Sequence, residues 1–149
     1  MKASVKQWLI YTITGSLTGF IVIGLCFAAL SLAEGTPTSP LEFGLMLMMS
    51  GVFGVCFAMI PSAITATILL NRKTTRQQYC VQSVITGVVI TAICALLYCV
   101  VDGVSLLGSW SAIGSSEFWN QYAPHLGIAL ITGLCASTIA ALVARKVRA

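Results

Sequence analysis

The stretch WLIYTITGSLTGFIVIGLCFAALSLA, Trp8–Ala33, carries no charged residue. At a helical rise of about 1.5 Å per residue such a run crosses the roughly 30 Å hydrocarbon core of a bilayer. Three more charge-free runs follow: Phe43–Leu70, Tyr79–Val101 and Phe118–Ala144. Across all 149 residues 58% are hydrophobic, only 8% are charged, and the mean hydropathy is +0.96. Soluble domains carry about 25% charged residues, so the solvent of this chain is lipid. The runs lack the polar alternation of barrel strands, which leaves helices as the spanning form. The chain therefore reads as all-α, a polytopic membrane protein with one transmembrane domain over residues 1–149. The expected architecture is a compact four-helix bundle with spans at about 8–33, 43–70, 79–101 and 118–144. The first run reads as a span and not as a cleavable signal, being long and without a small-residue cleavage site before Glu34.

The charges sort by position. Lys2, Lys6, Arg72, Lys73, Arg76, Arg145, Lys146 and Arg148 lie at the N-terminus, in the middle connection or at the C-terminus. Glu34, Glu42, Asp102 and Glu117 lie in the other two connections. With four spans, all cations fall on one side and all acids on the other. The positive-inside rule then predicts cytoplasmic N- and C-termini. The net charge of +4 is explained by this bias at an anionic leaflet and implies no nucleic-acid partner.

A shift of 68 residues brings Tyr11 onto Tyr79, Thr18-Gly19 onto Thr86-Gly87, Cys26 onto Cys94 and Glu34-Gly35 onto Asp102-Gly103. A shift of 75 brings Glu42-Phe43 onto Glu117-Phe118 and Ser62 onto Ser137. The expected organisation is thus two tandem parallel hairpins, repeats 1–76 and 77–149, related by an axis along the membrane normal.

Helices in lipid associate through small residues and interhelical hydrogen bonds. Small residues recur every fourth position at Ser50, Gly54, Ala58, Ser62, Ala66, at Ser83, Gly87, Thr91, Ala95, and at Ala129, Gly133, Ser137, Ala141. Gly15 and Gly19 form a GxxxG pair. These seams are the expected contact faces. Pro61 removes a helical hydrogen bond and predicts a kink, static in the simpler reading and a hinge in the alternative.

Ser39-Pro40-Leu41-Glu42 reads as a capping box with proline at the first helical position, so Glu42 has a local role. Glu117 opens the fourth helix in the same manner. Glu34 and Asp102 instead sit where the first and third spans are expected to end, against the helix dipole, each followed by a glycine that resembles a C-cap. No cation lies on their side, so both are candidate functional residues. The segment Val104–Trp119, with Trp110, Trp119 and nearby Tyr122, reads as an outer re-entrant or interfacial stretch. Trp8, Tyr11 and Tyr79 read as anchors at the opposite interface.

His125 is the only histidine and reads as an interfacial polar residue. Cys26, Cys56, Cys80, Cys94, Cys99 and Cys135 form no CxxC or metal spacing, and read as apolar filler. Met46, Met48 and Met49 read as lipid-facing or core filling. No charged residue falls at a predicted hydrocarbon centre, and no phosphate loop or nucleophile triad is legible. The expectation is a chain with no catalytic residues, no metal and no cofactor. The leading functional expectation is a non-enzymatic inner-membrane protein of bacteria that binds another membrane or periplasmic protein, as an accessory subunit or an immunity or exclusion factor. A helix face or the outer loop 104–119 would make the contact. The alternative is an oligomeric small-solute or ion channel or transporter, with Glu34 and Asp102 at its mouth; a phage holin is a weaker one. Its partners would be the bilayer and either that protein or further copies of itself.

Overall fold

Each apolar run becomes one long helix in the computed structural model, which describes residues 3–33, 39–71, 75–107 and 110–147. Helix α1 covers Ala3–Ala33. The second span is made of α2 (Pro40–Gly54), a π-helical turn (Val55–Met59) and α3 (Ile60–Leu70). Helix α4 covers Arg76–Leu107, and α5 covers Ser116–Val147 after a short 3-10 turn at Trp110–Gly114. Four helical segments, Ser4–Ser31, Met48–Leu70, Gln78–Leu106 and Ser116–Lys146, are long and apolar enough to cross a membrane. The protein is an all-α four-helix bundle.

Local chemistry sets the starts. Ser39 Oγ accepts from the Glu42 N–H at 3.3 Å while Glu42 Oε2 accepts from the Ser39 N–H at 2.7 Å, a reciprocal box with Pro40 in the first turn. These bonds, the backbone one above all, hold the Glu42 carboxyl below the usual carboxylate range. Helix α4 starts with a second box: Thr75 Oγ1 accepts from the Gln78 N–H and Gln78 Oε1 from the Thr75 N–H. The Thr75-x-x-Gln78 spacing was a readable signal that hydropathy alone passes over. Helix α5 is capped by Ser115, whose Oγ accepts from the Phe118 N–H at 3.2 Å.

Neighbours in sequence are neighbours in space. Helix α1 packs on the second span and on α5, and α4 packs on the same two. Helices α1 and α4 thus occupy opposite corners. The second span and α5 occupy the other two, and these approach each other across the middle at the π turn. Burial follows this geometry. From Tyr11 to Cys26 in α1 one residue in four is buried, and the pattern recurs position for position from Tyr79 to Cys94 in α4. The second span and α5 bury two in four, and the buried positions from Phe53 to Leu69 match those from Ile128 to Ala144. A strict four-residue period drifts slowly around a 3.6-residue helix, so each seam stays on one face for many turns.

Packing at the seams is tight. A Cβ on Gly19 would overlap the Ala58 side chain and lie 3.2 Å from the Ala58 Cα. Added Cβ atoms on Gly15 and Gly87 would overlap Ser62 and Ser137, and one on Gly54 would overlap the Phe20 ring. Gly133 is more lenient, its nearest neighbour being the Thr91 side chain at 2.8 Å. The space left on the bundle axis, between Tyr11, Pro61, Ser62, Thr65, Thr91 and Ser137, measures about 10 Å³, the room of a single water molecule.

Three sequence expectations need correction. Tyr11 and Tyr79 are not interfacial anchors: they are 1% and 2% exposed, in a cluster with Ala66, Leu69, Ala140, Ala141 and Ala144. The Tyr11 hydroxyl lies 2.7 Å from Ser83 Oγ, which donates to the Ser137 carbonyl, so three helices share one hydroxyl chain. Trp8 is half-buried against the edge of this cluster, its Nε1 donating to the exposed Thr67 Oγ1 at 3.0 Å. Second, the third span does not end at Val101. Helix α4 runs on to Leu107, so Asp102 is inside it and Gly103 is not a C-cap. Third, Val104–Trp119 is not one exposed loop: its first residues belong to α4, its last to α5. Pro61 has a more specific consequence than a kink. Its ring collides with the carbonyl four residues back, and the ladder there opens into the π turn Val55–Met59, with the Ile60 N–H bonded five residues back to the Val55 carbonyl.

Candidate functional site at the acidic end

Asp102 is the organising residue. It lies half-buried on α4, and Tyr122 of α5 donates its hydroxyl to Asp102 Oδ2 at 2.6 Å. That is the length of a charge-assisted O–H···O⁻ bond. The two helices meet closely because Gly103 has no side chain: a Cβ there would overlap the Phe118 ring, which fills that space. Phe118, Tyr122 and His125 follow one another at i, i+4 and i+7, so α5 presents them on one face. Phe118 and Tyr122 are buried with Cys99.

An aromatic layer lies next to this pair. Tyr98, one turn before Asp102 on α4, meets Phe53 and Phe57 edge-on, with ring centroids 5.2 and 5.6 Å apart. The His125 ring leans on Phe53 at 5.3 Å and on Tyr122 at 5.7 Å. His125 Nδ1 is buried without a hydrogen-bond partner. His125 is therefore a half-buried member of the ring cluster. The sequence offers Asp102 no cation on its side, and the structure gives it a neutral donor, Tyr122. Glu34 lies outside the described residues, so the pairing of Glu34 with Asp102 is not defined by this structure.

The remaining candidates are spread over the bundle. Trp110 is 72% exposed on the 3-10 turn, and Trp119 is 39% exposed at the start of α5, edge-on to Phe118. Gly15, Gly19, Gly54, Ala58, Ser62, Gly87, Gly133 and Ser137 are buried at the seams. Pro61 is buried beside the axial space. All six cysteines are free thiols, and Met48 and Met49 are exposed on the membrane-facing surface. Sequence reasoning missed the roles of Tyr98, Phe118 and Tyr122. The i, i+4, i+7 row on α5 was the available signal.

Chemically, the cluster offers a carboxylate with one phenolic donor and a wall of rings. Among the described residues no group of three or more His, Cys, Asp or Glu side chains is placed to hold a metal ion. The charged residues described at this end are Glu42, Asp102 and Glu117, all acidic. Compared with protein-family models, curated proteins and solved structures, the chain matches none.

Proposed function

We propose that this chain is a non-enzymatic integral membrane protein that acts by binding another membrane or periplasmic protein at its acidic end. The positive-inside sorting supports an orientation with both termini cytoplasmic, in a bacterial inner membrane. The contact centres on Trp110, with Trp119 a second exposed ring at the start of α5. The observation that carries this reading is how Trp110 is mounted. Its 3-10 turn also holds Ile113, which packs against the Cys99, Phe118 and Tyr122 cluster. The indole therefore projects from a turn tied to the core. Rigidly presented tryptophans are the usual anchors of protein interfaces. An accessory subunit and an immunity or exclusion factor both use such a surface.

Two observations weigh against the alternative of transport. The axial space is about 10 Å³. The rows Ile13–Leu17–Ile21–Leu25 and Val81–Ile85–Val89–Ile93 on the outer faces of α1 and α4 are aliphatic and exposed, which suits lipid and not the lining of a pore between protomers. The test is purification in mild detergent with identification of a stoichiometric partner, repeated with Trp110→Ala. The proposal expects a partner that is lost in the variant while the helical melt is unchanged. Equal recovery of the partner with Trp110→Ala, or a pure homo-oligomer with solute flux in proteoliposomes, overturns it.

A further inference from the structure

Between the π turn and the acidic half of α4 the surface opens into a groove of about 350 Å³, lined by Cys56, Ile60, Cys94, Leu97, Tyr98 and Val101. Its size falls within the roughly 300–1,000 Å³ of small-molecule sites. Its wall is apolar throughout, and it lies on a spanning segment, so whatever fills it comes from the membrane.

The lining argues against a partner helix. Transmembrane helices dock through small residues that let backbones approach. This chain has its small-residue rows turned inward, and four of the six groove residues, Ile60, Leu97, Tyr98 and Val101, are branched or aromatic. Six residues are also far fewer than the roughly 20–30 a side of a standard protein interface. A slender apolar chain suits the space: Cys94 to Val101 is about two turns of helix, on the order of 10 Å.

The charge at the end of the groove defines the rest of the ligand. Asp102 follows Val101 and stands one turn beyond Tyr98 on the same face of α4. Glu42 and Glu117, the other charged residues described at this end, are also acids. A headgroup reaching the rim meets negative charge only, so a cationic group is favoured and a purely anionic one is repelled. We propose that the groove holds one acyl chain of a phospholipid and sets the headgroup's ammonium against Asp102. Phosphatidylethanolamine carries that ammonium; phosphatidylglycerol does not. This site is separate from the Trp110 surface, and its test reads bound lipid and not a protein partner.

The experiment is native mass spectrometry of the full chain in mild detergent, with phosphatidylethanolamine and phosphatidylglycerol added in equal amounts. The expected result is one retained phosphatidylethanolamine, favoured about fivefold, the worth of one charge near a membrane surface. Asp102→Asn should remove that preference and leave binding of either lipid, whereas Tyr122→Phe, which keeps the carboxylate, should retain it. Leu97→Trp should fill the groove and abolish retention of both. Leu97 is 60% exposed, so the substitution leaves the core intact; Val101→Trp serves as a second block. Equal retention of the two lipids by the unmodified protein, or undiminished retention in both tryptophan variants, overturns the proposal.

Discussion

The two ends of the bundle are closed by different means. At the basic end alanines, one leucine and two tyrosines form the buried cluster, and its hydrogen bonds run through hydroxyls: Tyr11 to Ser83, and Ser83 to the Ser137 carbonyl. At the acidic end the filling is aromatic, and the polar centre is a carboxylate held by Tyr122. Small residues allow backbones to approach and leave little room for ligands. Rings are larger and less compliant, and beside them lies the Tyr98 groove. Any function of this chain is therefore sought at the end where packing is by rings.

The sharpest way to break the comparison is to overfill a small-residue seam. Gly19→Leu drives a side chain into Ala58, including its backbone, and is expected to cost about 3 kcal/mol or more. Loss of the monodisperse peak in detergent and a lower melting temperature would register it. Gly133→Leu should also destabilise, because its nearest obstacle at 2.8 Å is Thr91 Cβ, an atom that side-chain rotation does not move.

A pair of tyrosine substitutions compares the two polar centres. Tyr122→Phe removes the donor to a half-buried carboxylate and is expected to cost about 1 kcal/mol. Tyr11→Phe leaves Ser83 bonded to Ser137 and should cost about 0.6 kcal/mol, the average for neutral pairs between membrane helices. Thermal melts of both variants check the order; a larger loss for Tyr11→Phe would reverse the comparison.

The smallest expected effect is electrostatic and confined to the start of α2. The Glu42 carboxyl is held below the usual range, so its contribution is complete above the ordinary value near 4.3 and is lost as pH falls through the depressed one. Protection of the Ser39 and Glu42 amides against hydrogen exchange, relative to the intrinsic rate at each pH, should fall across that interval. Glu42→Gln keeps a neutral box and should remove the pH dependence.

Much of this was legible beforehand. The rows from Gly54 to Ala66, Ser83 to Ala95 and Ala129 to Ala141 are buried where period-four spacing puts them, because in lipid only small faces let helices meet. The Ser39–Glu42 box was equally readable, being a local pattern with a local cause. The continuation of α4 through Asp102 was not. A charge followed by glycine looks like a boundary; only the arrival of Phe118 over Gly103 and of Tyr122 beside Asp102 makes it an interior. Tyr11 and Tyr79 failed for a related reason: a tyrosine near a membrane boundary has the same sequence signature whether it faces headgroups or a neighbouring helix.

By itself, then, the sequence determined the solvent, the number of spans, the charge sorting between the two ends and the faces on which helices meet. These follow from composition and from periodicity along one chain. The tertiary structure alone decided which aromatic residues face inward, how Pro61 is accommodated, and that Asp102 has Tyr122 as its partner. Those outcomes depend on which side chains from different helices arrive at the same place, and distances between helices are not encoded in the spacing along any one of them.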